Sequence, residues 1–107
     1  MTHLVRGRVY RARPTGFTAD TYFVVVSNNA RNRHLDSALV VWFTTTPTPV
    51  LRSIVADPDH EVVPGGSKVC DDIYELFDDE AQADLGALRA PTMAAVGDGL
   101  KAALGLR

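Results

Sequence analysis

The residues best equipped for chemistry lie together in Ser27-Asn28-Asn29-Ala30-Arg31-Asn32-Arg33-His34. Amide and hydroxyl side chains, two guanidinium groups and an imidazole follow one another there directly after an apolar run. Guanidinium forks match phosphate oxygens and amides hydrogen-bond base edges, so a loop of this content suits a polyanion with readable bases. The same residues also suit a turn in which the asparagines bond their own backbone and the arginines are solvated. Three consecutive hydroxyls, Thr44-Thr45-Thr46, form the second candidate. Threonine is an ordinary strand residue, yet a row of them at a strand terminus can line a site at the edge of a sheet.

Asp71-Asp72 and Asp78-Asp79-Glu80 offer the oxygen ligands that magnesium takes. Neighbours on a strand point to opposite faces, and acids at a helix start are common caps, so these acids read as surface and capping groups. His3, His34 and His60 lack the spacing of metal ligands, and no metal or other cofactor is expected. P-loop, dinucleotide-binding, zincin and nucleophile-elbow signatures are all missing, which leaves those chemistries without support. A single cysteine, Cys70, excludes a disulfide framework within the chain and a Cys-rich zinc site, and it reads as a small buried apolar residue.

The elements that must position these groups follow from periodicity. Leu4, Val5, Val9 and Tyr10 among arginines predict a first strand on which Arg6, Arg8 and Arg11 share a face. Residues 13–20, rich in Pro, Gly and Thr, are a loop. Tyr22-Phe23-Val24-Val25-Val26 is a strand buried on both faces, and Ala38-Leu39-Val40-Val41-Trp42-Phe43 is another, with Trp42 and Phe43 in the core. The prolines at 47 and 49 stop ladder pairing after it. Residues 50–56 are a further strand candidate, 62–66 are a short strand or turn region, and 68–76 is a strand whose Asp71-Asp72 needs an open face. Residues 81–85 read as a short helix with acids at its start. Pro91 opens a last helix, along which Met93, Val96, Leu100, Ala103 and Leu104 recur at helical spacing. Several strands with a helix across them make an α+β domain or small barrel.

At 107 residues the chain is one domain over 1–107, too short for a Rossmann unit with a second domain or for a barrel of eight βα units. No apolar run approaches the roughly 20 residues of a membrane span and the N-terminus carries no apolar signal core, so the expected location is cytoplasmic. The net charge of −2 hides an asymmetry. Residues 1–35 hold Arg6, Arg8, Arg11, Arg13, Arg31 and Arg33 against Asp20 alone, a balance of +5, whereas residues 57–84 hold ten acids against Lys68, a balance of −9. A nearly neutral chain can therefore present a basic face to an anion, and it equally suits two solvated faces.

Taken in order, Arg6-Gly7 with Val9-Tyr10, the Ser27 to His34 stretch after a buried strand, Thr44-Thr45-Thr46 after the next, Gly66 through Cys70-Asp71-Asp72-Ile73, and a terminal helix ending Ala103-Leu104-Gly105-Leu106 resemble the MazF/PemK/Kid family of toxins. The likeness is collinear over nearly the whole chain and strongest toward actinobacterial members. It implies a homodimer built on a small, strongly curved antiparallel β-barrel of SH3-like form with a C-terminal helix. It also implies a sequence-specific, metal-independent endoribonuclease, the toxin of a type II toxin–antitoxin pair, with a MazE-like antitoxin and single-stranded RNA as partners. Cleavage in such proteins uses the ribose 2′-hydroxyl as nucleophile, with an arginine and a threonine acting on the phosphate.

The resemblance carries the threonine to Thr44 and places Asp71 and Asp72 where relatives contact bases. Residues 14–20 match the loop that covers the RNA, with Phe17 for stacking. Asn28, Asn29, Arg31, Arg33, Thr45 and Thr46 are the remaining RNA-binding candidates. The family's Arg-Pro or Lys-Pro is replaced here by Thr21-Tyr22, beside Asp20. Arg13 is the first candidate for a relocated catalytic cation, with Arg11 second and His34 as an alternative proton carrier. The lost arginine also leaves open a non-cleaving member of the fold that binds RNA, antitoxin or another protein. A gyrase poison of the CcdB kind, sharing the barrel, has no sequence feature in its favour.

Overall fold

In the computed structural model residues 2–44, 62 and 68–106 are described, with 68–71 described by their backbone. The apolar runs form β1 (Arg8–Ala12), β2 (Thr21–Val25), β3 (Ser37–Thr44) and β4 (Lys68–Phe77). A short helix α1 (Asn29–Leu35) joins β2 to β3, and a 3-10 turn at Asp78–Glu80 leads into β5 (Ala81–Ala87) and then α2 (Ala90–Leu104). The strands make one antiparallel sheet in the order β4-β3-β2-β1-β5. Among the described residues the sheet does not close, so the expected barrel is an open curved sheet with β4 and β5 at its edges.

Both faces are covered, as the uninterrupted apolar runs require. Tyr10, Ala12, Phe23, Val25, Val40 and Leu76 share one core with Leu4 and Ala38. Val9, Val24, Val41 and Phe43 face the other way and meet Leu88 and Val96, the latter on α2. Each large side chain buried in this way contributes on the order of 2 kcal/mol. On α2, Val96 is buried and Met93 and Leu100 pack against the second core, whereas Ala103 and Leu104 are exposed. Gly105 closes the helix in the left-handed region, at φ 70. Trp42 is half-buried against the first core and Phe43 is buried in the second, so both are core residues as expected.

Three expectations change. The stretch after Asn28 is helical, over Asn29–Leu35: Asn28 is the N-cap, its Oδ1 accepting from the Arg31 backbone N–H at 2.8 Å. Residues 81–85 belong to β5, because pairing with β1 (Tyr10 with Asp84, Arg11 with Ala83) overrides the local helical tendency of the alanines. The acids before it cap the 3-10 turn instead, where Glu80 Oε1 accepts from the Phe77 backbone N–H. The first strand begins at Arg8, so Arg6 lies outside it; the Arg6 guanidinium donates to the Val26 carbonyl, while Arg8 and Arg11 reach Asp84 and Gln82 on β5. The expected strand at 50–56 lies outside the described residues, and of 62–66 only Val62 is described, as a turn residue against the second core. No described helix is long and apolar enough to cross a membrane.

Candidate nucleic-acid interface

Thr44 is the last residue of β3 and is half-buried. In the β3–β4 ladder its backbone partner is Lys68. On the other side, β2 pairs Phe23 with Trp42; the register carried two residues further brings Thr44 level with Thr21, which pairs with Ala12 of β1. Arg13 follows Ala12, so Arg13, Thr21, Thr44 and Lys68 all lie at one end of the sheet. At the usual strand spacing of about 4.8 Å, β1 and β3 are roughly 10 Å apart there, within reach of a long guanidinium side chain.

A bulge shapes the same end. The pairs Val41 with Ile73 and Phe43 with Val69 bracket Trp42 on β3 but Cys70, Asp71 and Asp72 on β4. Extra residues on one strand kink it and leave groups unpaired, a device that re-aims side chains next to functional sites. Asp72 within the bulge is exposed. Of Asp71 and Cys70 only the backbone is described, and Thr45 and Thr46 lie outside the described residues.

The loop at 13–20 folds over the face that carries Trp42. Phe17 sits edge-on to Phe23, Trp42 and Tyr74 with ring centroids 5.4, 5.5 and 5.4 Å away. Its ring thus anchors the loop to the aromatic core and does not stand out as a free stacking platform. Arg13 Nε meets Asp20 Oδ1 at 3.1 Å, with about half of each side chain exposed. Such a surface pair contributes at most about 1 kcal/mol, so a phosphate can take the place of Asp20.

Arg11 turns instead to Gln82, 3.4 Å from its Nε. Arg8 is held by Asp84, whose two oxygens lie 3.1 and 2.9 Å from Nε. Partial desolvation pushes the Asp84 carboxyl upward, but the Arg8 hydrogen bond, the Gly86 N–H and the Arg8 charge outweigh it and hold the group below its ordinary value. The Arg8 guanidinium is raised in turn, chiefly by that hydrogen bond. Burial pushes the Tyr10 phenol up, and its hydroxyl accepts from the Val5 backbone N–H.

The Ser27 to His34 stretch is mostly scaffold, and it sits at the other end of β3. Asn32 is fully buried; Ser27 Oγ donates to its Oδ1 at 2.5 Å, its Nδ2 donates to the Ser27 carbonyl, and Ser27 Oγ accepts from Leu39 N–H. Asn29 Oδ1 accepts from the Arg6 N–H. Arg31 donates to the Ser37 carbonyl at 3.0 Å and lies 3.6 Å from Glu75, which also accepts from Ser37 Oγ. Arg33 and His34 in the last turn are exposed. From Ser37 to Thr44 the strand advances about 24 Å at ~3.4 Å per residue, so α1 and Thr44 do not form a single pocket in one chain.

The structure therefore brings Thr44, Lys68, Asp71, Asp72 and Arg13 to one end of the sheet and leaves Asn28, Asn29, Arg31, Arg33 and His34 at the other. Lys68, level with Thr44 in the ladder, is not among the residues that the sequence reading singles out. As the lone base of the acidic segment it was a visible signal, but its pairing with Thr44 depends on strand register.

No protein-family profile matches the chain. Endoribonuclease MazF1 of Mycobacterium bovis is 35% identical over 102 residues, which cover 95% of this chain and 93% of that protein. Endoribonuclease MazF4 of Mycobacterium tuberculosis matches equally, at 35% over the same shares. The chain belongs to the MazF endoribonuclease family. In three dimensions this MazF-family chain is similar to a mycobacterial endoribonuclease solved in complex with its cognate antitoxin, at a TM-score of 0.83 and 35% identity over 96% of each chain. A MazE–MazF structure from Deinococcus radiodurans has a TM-score of 0.78 at 21% identity, covering both chains fully, and shares the MazF fold.

Proposed function

We propose that this MazF-family chain is the toxin of a type II toxin–antitoxin pair, a sequence-specific, metal-independent endoribonuclease for single-stranded RNA, folded as one domain over residues 1–107. It works as a homodimer in the cytoplasm and is held inactive by a MazE-like antitoxin. The observation that carries this reading is the position of Thr44: the family's phosphate-binding threonine ends a rigid strand, with basic residues on both flanking sides of the sheet.

The ribose 2′-oxygen attacks phosphorus, the new O2′–P bond replaces the P–O5′ bond, and the products are a 2′,3′-cyclic phosphate and a 5′-hydroxyl. The Thr44 hydroxyl donates to a non-bridging phosphate oxygen, and a cation at this end of the sheet neutralises the phosphorane. Arg13 and Lys68 are the two residues placed for that task, with Arg11 and His34 oriented or located elsewhere. Asp72, with Asp71, stands where exposed bases can be read. Arg33 and His34 bind flanking RNA at the far end of β3.

Incubating the purified chain with a long RNA in EDTA and mapping 5′ ends tests the proposal: cleavage at one recurring word with 5′-hydroxyl ends is expected, and intact RNA from folded, antitoxin-free protein contradicts it. A non-cleaving binder is the second reading, favoured by Thr21-Tyr22 at the family's Arg-Pro position and by the Arg13–Asp20 pair.

A further inference from the structure

At the Ser37 end of β3, three segments far apart in sequence converge on one point. His3 Nδ1 lies 2.8 Å from Asp78 Oδ2 and 3.5 Å from Asp36 Oδ1, and the three atoms all lie within 4.8 Å of one another. A cavity of about 350 Å³ there is lined by His3, Asp36, Phe77, Asp78 and Asp79, which include three carboxylates and no lysine or arginine. The Asp78 side chain is only 12% exposed. A dication with an imidazole and two carboxylates is neutral as a unit.

We infer that His3, Asp36 and Asp78 form a binding site for a divalent transition metal of the Zn²⁺ class. One nitrogen and two oxygens are a donor set that zinc accepts and that magnesium, which prefers oxygen alone, does not. Ligand bonds of about 2.0–2.2 Å in a tetrahedron set neighbouring ligand atoms roughly 3.3–3.6 Å apart. The His3–Asp36 separation already has that value, and the His3–Asp78 contact opens by about half an ångström when the ion enters between them. Water or Asp79 completes the shell.

Of the three donors Asp78 is held from behind, and the Asp36 carboxylate stands 76% exposed beside it. Asp78 Oδ1 accepts from Leu4 N–H, and Asp78 N–H donates to the Asp36 carbonyl at 3.1 Å. Outer contacts of this kind orient metal ligands in advance. The ion ties the N-terminal segment, the end of α1 and the β4–β5 turn together. Ser37 pairs with Phe77 at this corner, a full strand length from Thr44, so the site acts on stability and stands apart from RNA cleavage.

The test uses the full chain, stripped of metal by chelation and titrated with ZnCl2 by calorimetry, with MgCl2 as control and thermal melting alongside. One Zn²⁺ per chain, a raised Tm, no Mg²⁺ heat, and affinity lowered at least about tenfold by His3→Gln and by Asp36→Asn are expected. Asparagine suits the left-handed backbone at position 36 (φ 55), so that variant keeps its fold. Absence of Zn²⁺ binding to the wild-type chain overturns the proposal, and so does stoichiometric binding that both variants retain. RNA cleavage measured in EDTA reports separately on the Thr44 site.

Discussion

Ser37 and Thr44 stand at the two ends of β3, and this one strand separates the molecule's two polar centres. At Ser37 gather Arg31, Glu75 and the carboxylates of Asp36 and Asp78; at Thr44 gather Lys68, the Asp72 bulge and the Arg13 loop. The proposed work on the scissile phosphate is assigned to the second group, and the first fixes α1 and the chain's corner.

That division predicts how α1 variants behave. Arg33→Ala and His34→Ala should raise KM for a long RNA and leave kcat unchanged, because the role proposed for these groups is confined to flanking phosphates. A short oligonucleotide confined to the Thr44 end should be cut by wild type and variants alike. Steady-state kinetics on the two substrates checks this.

Asn32 is expected to matter for stability and not for RNA. It is fully buried, and it joins Ser27 in a closed set of hydrogen bonds that also satisfies the Leu39 N–H. Asn32→Ala removes the acceptor and the donor together and should destabilise the fold by about 1–3 kcal/mol, the cost of leaving buried partners unsatisfied. Urea denaturation measures the shift in midpoint. The N-cap variant Asn28→Ala should cost less, about 1 kcal/mol.

Asp84 supplies a pH dependence. Its carboxyl is held below its ordinary value of 3.8 in the folded chain, so its contribution is fully present above that value and is lost as pH falls through the lower folded value. Wild type should therefore exceed Asp84→Asn in stability at neutral pH, and the gap should close below pH 3.8. Partial exposure of the Arg8–Asp84 pair keeps the effect small. Denaturation of both proteins across the acid range checks the sign.

The buried strands and the terminal helix were legible because apolar periodicity writes them directly: Phe23 to Val25, Val40 and Val41, and Val96 fall where the pattern puts them. The Asn28 to His34 stretch misled because capping and loop chemistry use the same polar residues, and only the Asn28-to-Arg31 bond distinguishes them. Residues 81–85 misled because alanines favour a helix until a strand edge is offered by β1. Family resemblance points to Thr44 but not to Lys68 paired with it, since a strand's register depends on a bulge at Cys70 to Asp72 that no local signal marks. The His3–Asp36–Asp78 convergence is likewise invisible in sequence, being made by three separate turns of the chain.

The most direct test of the Thr44 end as the cleavage centre is single-turnover cleavage of one RNA in EDTA by wild type, Thr44→Ala, Arg13→Ala and Lys68→Ala. Loss of about 100-fold or more for Thr44→Ala and for one of the two cation variants, with native melting curves, is the predicted result. Cleavage by Thr44→Ala at the wild-type rate contradicts the account.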